Sequence, residues 1–128
     1  MKVKVSPAKF ELIRLGQCTT VMGFSKTSKY ELKAGTRFTF VQNNNTSKEV
    51  DVVVLRVAHY KSGEDMFKVE DCKKIINADS YESACNIYRR LRTIEQDAKY
   101  GIDAAEIAVI PTPAIILKYC PSSEKTQI

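Results

Sequence analysis

The alternation of polar and apolar positions predicts a chain built mainly from β-strands. Alternating or β-branched runs predict six strands, at residues 2–5, 18–24, 37–41, 50–60, 104–110 and 114–119. The asparagine-rich stretch 43–47 is typical of a hairpin tip and joins the third predicted strand to the fourth. Prolines at 111 and 113 separate the last two strands.

The longest strand signal, residues 50–60, predicts two largely apolar faces. One predicted face carries Val50, Val52, Val54 and Arg56, and the other carries Val53, Leu55, Val57 and His59. When both faces of a strand are covered, a closed barrel is the natural architecture.

Capping signals predict the helices. Ser6 and Pro7 supply an N-cap and a first helical residue, and Gly16 can end the helix after about two turns. A short helix is predicted to open at Ser62, and a longer one at Asp79 as its cap. The apolar face predicted for the longer helix consists of Tyr81, Ala84, Cys85, Tyr88, Leu91 and Ile94.

Length and charge indicate the number of domains and the class of partner. The 128 residues, 44% of them hydrophobic, are enough for one core, so we expect a single domain over residues 1–120 and a flexible tail over 121–128. Twenty Lys and Arg against fifteen Asp and Glu give a net charge of +5. This balance favours a polyanionic partner such as nucleic acid.

Cysteine spacing and hydropathy set further expectations. The four cysteines contain no C-x-x-C pair and have only His59 to join them, so no metal site and no cofactor are expected. No run approaches the ~20 apolar residues of a membrane span, and the first ten residues lack the apolar core of a secretion signal. We therefore expect no membrane association, free thiols, and a cytoplasmic or nuclear location.

Three stretches of the sequence resemble the ASCH family of the PUA-like superfamily. They are Lys4-Val5-Ser6-Pro7-Ala8-Lys9-Phe10-Glu11-Leu12-Ile13-Arg14-Leu15-Gly16, Leu32-Lys33-Ala34-Gly35-Thr36-Arg37-Phe38-Thr39-Phe40, and Lys99-Tyr100-Gly101-Ile102-Asp103-Ala104-Ala105-Glu106-Ile107. The resemblance implies an α+β fold, a small mixed PUA-like β-barrel with a few flanking helices and a cleft between the two. It also implies RNA recognition or, as in some members, hydrolysis of the amide of acetylated cytidine.

The signature of that family is altered here. It is a glycine, any residue, then Lys-Thr-x-Glu or Thr-x-Arg, and it falls on residues 16–23, where Gly16 and Thr19 are retained. Cys18, Val21 and Gly23 replace the lysine, the Glu or Thr, and the arginine. Amide hydrolysis needs a base or nucleophile and an oxyanion-stabilising group, so this departure argues against catalysis and no catalytic residue is assigned.

The leading hypothesis is therefore a module that binds RNA or a modified nucleotide in the cleft. Basic residues there would contact phosphates, and Tyr60, Tyr30 or Phe24 would stack on an unpaired base. The candidate cleft residues are Arg14, Cys18, Thr19, Thr20, Lys26, Lys29, Arg37, Arg56, Tyr60 and Lys61.

Other hypotheses stay open. A ribonuclease or amidohydrolase with relocated groups would use Cys18 and His59 together with Glu64 or Asp65. The cluster Arg89-Arg90-x-Arg92 on the predicted long helix is a solvated face, a second phosphate-contact patch or a docking surface. A third hypothesis is a catalytically silent fold that binds a protein partner.

Overall fold

The computed structural model describes residues 2–23 and 33–111. Within them lie, in chain order, β1 (Lys2–Val5), α1 (Pro7–Arg14), β2 (Thr20–Gly23), β3 (Arg37–Gln42), β4 (Asn45–Tyr60), α2 (Gly63–Val69), α3 (Cys72–Ile76), α4 (Tyr81–Leu91), α5 (Ile94–Tyr100) and β5 (Ile102–Ile110). The strand predicted at 114–119 and the predicted tail lie outside the described residues. None of the helices in the described ranges is long and apolar enough to span a membrane.

The five strands form one curled sheet in the order β1-β3-β4-β5-β2. β1 runs parallel to β3, and the other neighbours are antiparallel. The predicted hairpin is confirmed, because β3 pairs with β4 along its length, with Phe38 opposite Val52. Its tip is shorter than the predicted stretch 43–47, since β4 begins at Asn45, which pairs with Gln42. Over the described residues β1 and β2 are the two edges, so the sheet is a half-barrel, whereas the sequence predicted a closed one.

Helix α1 covers one face of this sheet, called here the α1 face. The Ser6 side chain accepts a hydrogen bond from the Lys9 amide at 3.2 Å, and Pro7 is the first helical residue. Gly16 follows with a φ of 76°, the left-handed geometry that glycine adopts without strain. Phe10 and Ile13 are buried against Phe38, Phe40, Val50, Val52, Val54 and Ile107. The prediction for this helix is confirmed.

Helices α2, α3 and α4 cover part of the opposite face, called here the helical face. Met66, Ile75 and Tyr88 are almost fully buried there, together with Ile102 and Ala104 of β5. The cap predicted for the long helix was wrong by one residue. Ser80 is the N-cap, because its side chain accepts from the Ser83 amide, the third helical N–H, at 3.1 Å.

The predicted long helix is in fact two helices. Thr93 and Gln96 form a capping box that starts α5, so α4 ends at Leu91. Ala84 and Tyr88 are buried as predicted, but Leu91 and Ile94 are 67% and 68% exposed. The new helix start turns the chain, and the apolar face predicted across residues 81–94 does not continue beyond Tyr88.

Candidate functional site

One cross-strand row on the helical face gathers polar side chains from three strands. Glu106 of β5 pairs with Thr20 of β2 on one side and with Arg56 of β4 on the other. The neighbours of Glu106, Ala105 and Ile107, belong to the core under the α1 face, so Glu106 points to the helical face. The row Thr20–Glu106–Arg56 therefore lies beside the helical core and forms the candidate site.

Arg56 links this row to the end of helix α2. Its Nε donates to Glu106 Oε1 at 2.7 Å, and its two terminal nitrogens donate to the Glu70 carboxylate at 2.6 and 3.1 Å. Glu70 is the C-cap residue of α2, and its side chain is only 5% exposed. The Tyr60 hydroxyl donates to the same carboxylate. A guanidinium in such a two-carboxylate clamp is fixed in place.

These contacts set the charge of the site. The hydrogen bond from Arg56, opposed by burial, holds the pKa of Glu70 below its usual range. Burial, followed by the hydrogen bond to Glu70, raises the pKa of Tyr60 to about 12, so the phenol is neutral at pH 7. With the Glu106 carboxylate, one positive and two negative charges lie side by side.

A β-bulge places Arg56 in the row. The register of β4 against β5 shifts between Val54, which pairs with Ile107, and Arg56, which pairs with Glu106, so Leu55 is an extra residue. The alternation of residues 50–60 predicted Arg56 on the face of Val52 and Val54, and this prediction was wrong. Val54 lies in the core under the α1 face and Val57 packs against it, whereas Arg56 projects to the helical face.

Of the ten candidate residues, the structure brings three together at the site: Thr20, Arg56 and Tyr60. Thr19 lies next to the row, with its amide donating to the Lys74 carbonyl and its carbonyl accepting from the Ile107 amide. Arg37, exposed at the start of β3, pairs with Val53 and shares the face of Arg56. Lys61 is exposed just after β4.

The remaining basic candidates fall into two groups. Lys26 and Lys29 lie outside the described residues, as do Phe24 and Tyr30. Arg14 projects from α1, on the opposite side of the sheet, where its guanidinium pairs with Glu11 at 2.6 Å. There it lines an open pocket of about 430 Å³ with Phe10, Ser47, Lys48 and Glu49.

The structure does not assemble the thiol–imidazole site. Cys18 is buried in the core, with its Sγ 3.5 Å from the Thr20 carbonyl oxygen. Cys18 directly precedes Thr19, whose carbonyl accepts from the Ile107 amide of β5, whereas His59 pairs with Asp103 of the same strand. At about 3.3 Å per residue along β5, Cys18 and His59 therefore lie on the order of 15 Å apart. The His59 Nδ1 is 2.8 Å from the Asp103 carboxylate, and Glu64 pairs with Arg89.

The basic cluster on α4 is part of an internal ion-pair network. Arg92 is buried and its Nε donates to the Asp97 carboxylate at 2.7 Å. Arg89 binds Glu64 and Asp97, and the Tyr88 hydroxyl also donates to Asp97. Neither the solvated face nor the phosphate patch describes Arg89 and Arg92, since their guanidinium groups tie α4 to α5 and α2. Arg90 is exposed.

Two residues of the site, Glu70 and Glu106, were absent from the sequence-based candidates. A signal existed for Glu106, because it is the one charged residue in the otherwise apolar run 104–110. A lone carboxylate in such a strand requires a partner. Glu70 follows a short helix and carries no such signal in the sequence.

Together these features define a class of protein: a small α+β domain on a curled five-stranded sheet, with a core on each face and a carboxylate–guanidinium row beside one of them. No family model matches the chain, and no curated protein matches it.

Solved structures share the fold. The crystal structure of hypothetical protein PH0355 has a TM-score of 0.71 and 22% identity, over 85% of this chain and 97% of that one. The solution structure of PF0455 from Pyrococcus furiosus has a TM-score of 0.65 and 22% identity, over 88% and 100%. EF3133 from Enterococcus faecalis V583, of family DUF984, gives 0.54 and 14%, over 79% and 69%. At these identities the likeness establishes the fold alone.

Proposed function

We propose that this protein is an RNA- or modified-nucleotide-binding module of the PUA-like, ASCH type, and that its ligand lies against Glu106 and Arg56 of the row, since Thr20 is only 5% exposed. The observation that carries the proposal is the row itself. The Glu106 carboxylate and the Arg56 guanidinium stand side by side on neighbouring strands, and the buried Glu70 carboxylate holds the guanidinium in place. Such a rigid set of donors and acceptors suits a flat polar ligand.

The row has the hydrogen-bonding groups that a nucleobase edge requires. The Glu106 carboxylate can accept from the amino or imino group of a base. A guanidinium has five N–H donors, and the two carboxylates take one from each of the three nitrogens of Arg56. The remaining N–H groups can donate to a ring nitrogen or a carbonyl oxygen of the same base.

Phosphate groups would be held by other residues. The Arg56–Glu70–Glu106 cluster has one positive and two negative charges, so it does not attract a phosphate. Arg37 in β3, Lys61 after β4 and Lys74 in α3 are exposed and would supply positive charge. This division, with bases read by the row and phosphates by surrounding cations, fits the net charge of +5.

The test is the binding of a fluorescently labelled single-stranded RNA decamer of mixed sequence at about 50 mM and about 200 mM salt. We expect binding at the lower concentration that weakens steeply at the higher one. Glu106→Gln should weaken it about tenfold, because a charge-assisted hydrogen bond is lost.

Glu49→Gln is the matched control, since Glu49 and Glu106 are both ion-paired strand residues that are 39% exposed. It should bind RNA as the parent does. Absence of binding at low salt, or equal losses in the two variants, would contradict the proposal. Cleavage of the decamer would instead identify an enzyme.

A further inference from the structure

Leu55 is the extra residue of the bulge and also a large apolar side chain in solvent. It is 51% exposed and belongs to neither core, although it lies in the middle of the longest strand. Val54 on one side of it and Val57 on the other both point to the core under the α1 face. The side chain of Leu55 is therefore left on the solvent side, directly beside Arg56.

The aromatic candidate that the structure describes at the site, Tyr60, presents little of its ring to a ligand. The Tyr60 hydroxyl donates to Glu70, and the Tyr60 ring is half-buried against the helical core. Recognition of an unpaired base normally combines hydrogen bonds to the base edge with packing on the base plane. Leu55 is an exposed large hydrophobic side chain next to the row, since it directly precedes Arg56 in β4.

The geometry of the bulge supports a role in binding. Bulges increase the local twist of a strand and re-aim side chains, and they occur often next to binding sites. Here the inserted residue is apolar and exposed, and it directly precedes Arg56 in β4. The following residue, Arg56, is the hub of the polar row.

We propose that Leu55 is a specificity-determining residue that packs against the plane of the nucleobase whose edge meets Arg56 and Glu106. This inference rests on the proposed RNA-binding function. It assigns the apolar part of recognition to the bulge and the polar part to the row. The ligand it selects is a nucleic acid with unpaired bases, because a base within a duplex is covered on both planes.

The experiment compares two probes, the labelled RNA decamer and a decamer of the same length whose nucleotides lack bases. Leu55→Ala should bind the base-bearing decamer about tenfold more weakly than the parent protein and should bind the abasic decamer equally well. Leu55→Phe should keep the parent's affinity within about twofold or improve it, because a ring also packs on a base.

Leu15→Ala is the matched control, since Leu15 is 56% exposed at the end of α1, away from the row. It should bind both probes as the parent does. Unchanged binding of the base-bearing decamer by Leu55→Ala, an equal loss on both probes, or a loss in Leu55→Phe as large as in Leu55→Ala would overturn the role of Leu55 while leaving RNA binding intact. Failure of the parent protein to bind the decamer would overturn both proposals.

Discussion

Glu70 is the residue on which the candidate site depends most. Its carboxylate is nearly buried and accepts hydrogen bonds from Arg56 and Tyr60, so removing its charge weakens the hydrogen bonds of both groups. Because Arg56 holds the native pKa of Glu70 below its ordinary value of 4.5, the folded state binds a proton at this carboxyl less readily than the unfolded chain. The stability that Glu70 contributes is therefore fully present above pH 4.5 and declines as the pH falls below that value.

Glu70→Gln tests this linkage. At neutral pH we expect the variant to lose about 2 kcal/mol of unfolding free energy, measured by urea denaturation, because charge-assisted hydrogen bonds are lost. The difference from the parent should shrink as the pH is lowered through the acid range, since the parent's own carboxyl becomes protonated. Glu49→Gln, which alters an exposed ion pair, should show no comparable loss at neutral pH. A difference that grows on acidification would show that the sign of the pKa change is wrong.

Strand β4 contributes to both cores, and its bulge preserves which side chains point to each face. Before the bulge Val52 and Val54 point to the α1 face, and after it Val57 does so again. Leu55 and Arg56 together occupy the place of a single residue on the other face. Removal of Leu55 would leave the alternation of its neighbours unchanged, whereas removal of a residue outside the bulge would invert the remainder of the strand.

Two single-residue deletions distinguish these cases. We expect the deletion of Leu55 to keep the melting temperature within a few degrees of the parent's. The deletion of Val57 should lower it by more than about 10 °C, because Tyr60 would leave the helical core and His59 would enter it. Val57→Ala measures the part of that loss that comes from the side chain alone. Equal losses for the two deletions would contradict the register described for β4.

Local sequence patterns predicted helix α1 but not the bulge in β4. Helix α1 was predictable because Ser6, Pro7 and Gly16 act on backbone groups a few residues away. The bulge was not, since polar and apolar alternation around Leu55 fits either register until the opposing strand is known. Arg56 was therefore predicted as a site residue for its charge alone. Its contact with Glu70, fourteen residues further along the chain, could not be predicted, because it depends on how α2 packs on the sheet.

The whole molecule has two cores that share one sheet. Ile13 of α1 and Ile75 of α3 are almost fully buried, and they lie on opposite faces of the sheet. Strand β5 contributes to both cores, with Ala105 and Ile107 on one side and Ile102 and Ala104 on the other. Loss of either core exposes the same strands, so we expect the two halves to unfold together.

Ile13→Ala and Ile75→Ala form a matched pair for testing this cooperativity. Each should lower the unfolding free energy by about 2–5 kcal/mol, because each leaves a cavity in a close-packed core. Ile94→Ala, at a 68% exposed position, should change it by less than about 0.5 kcal/mol. Urea unfolding is followed by far-ultraviolet circular dichroism and by tyrosine fluorescence, since Tyr60 and Tyr88 both belong to the helical side. The two signals should shift together in both core variants. A tyrosine transition that keeps the parent's midpoint in Ile13→Ala, while the circular dichroism transition moves, would mean that the two cores unfold independently.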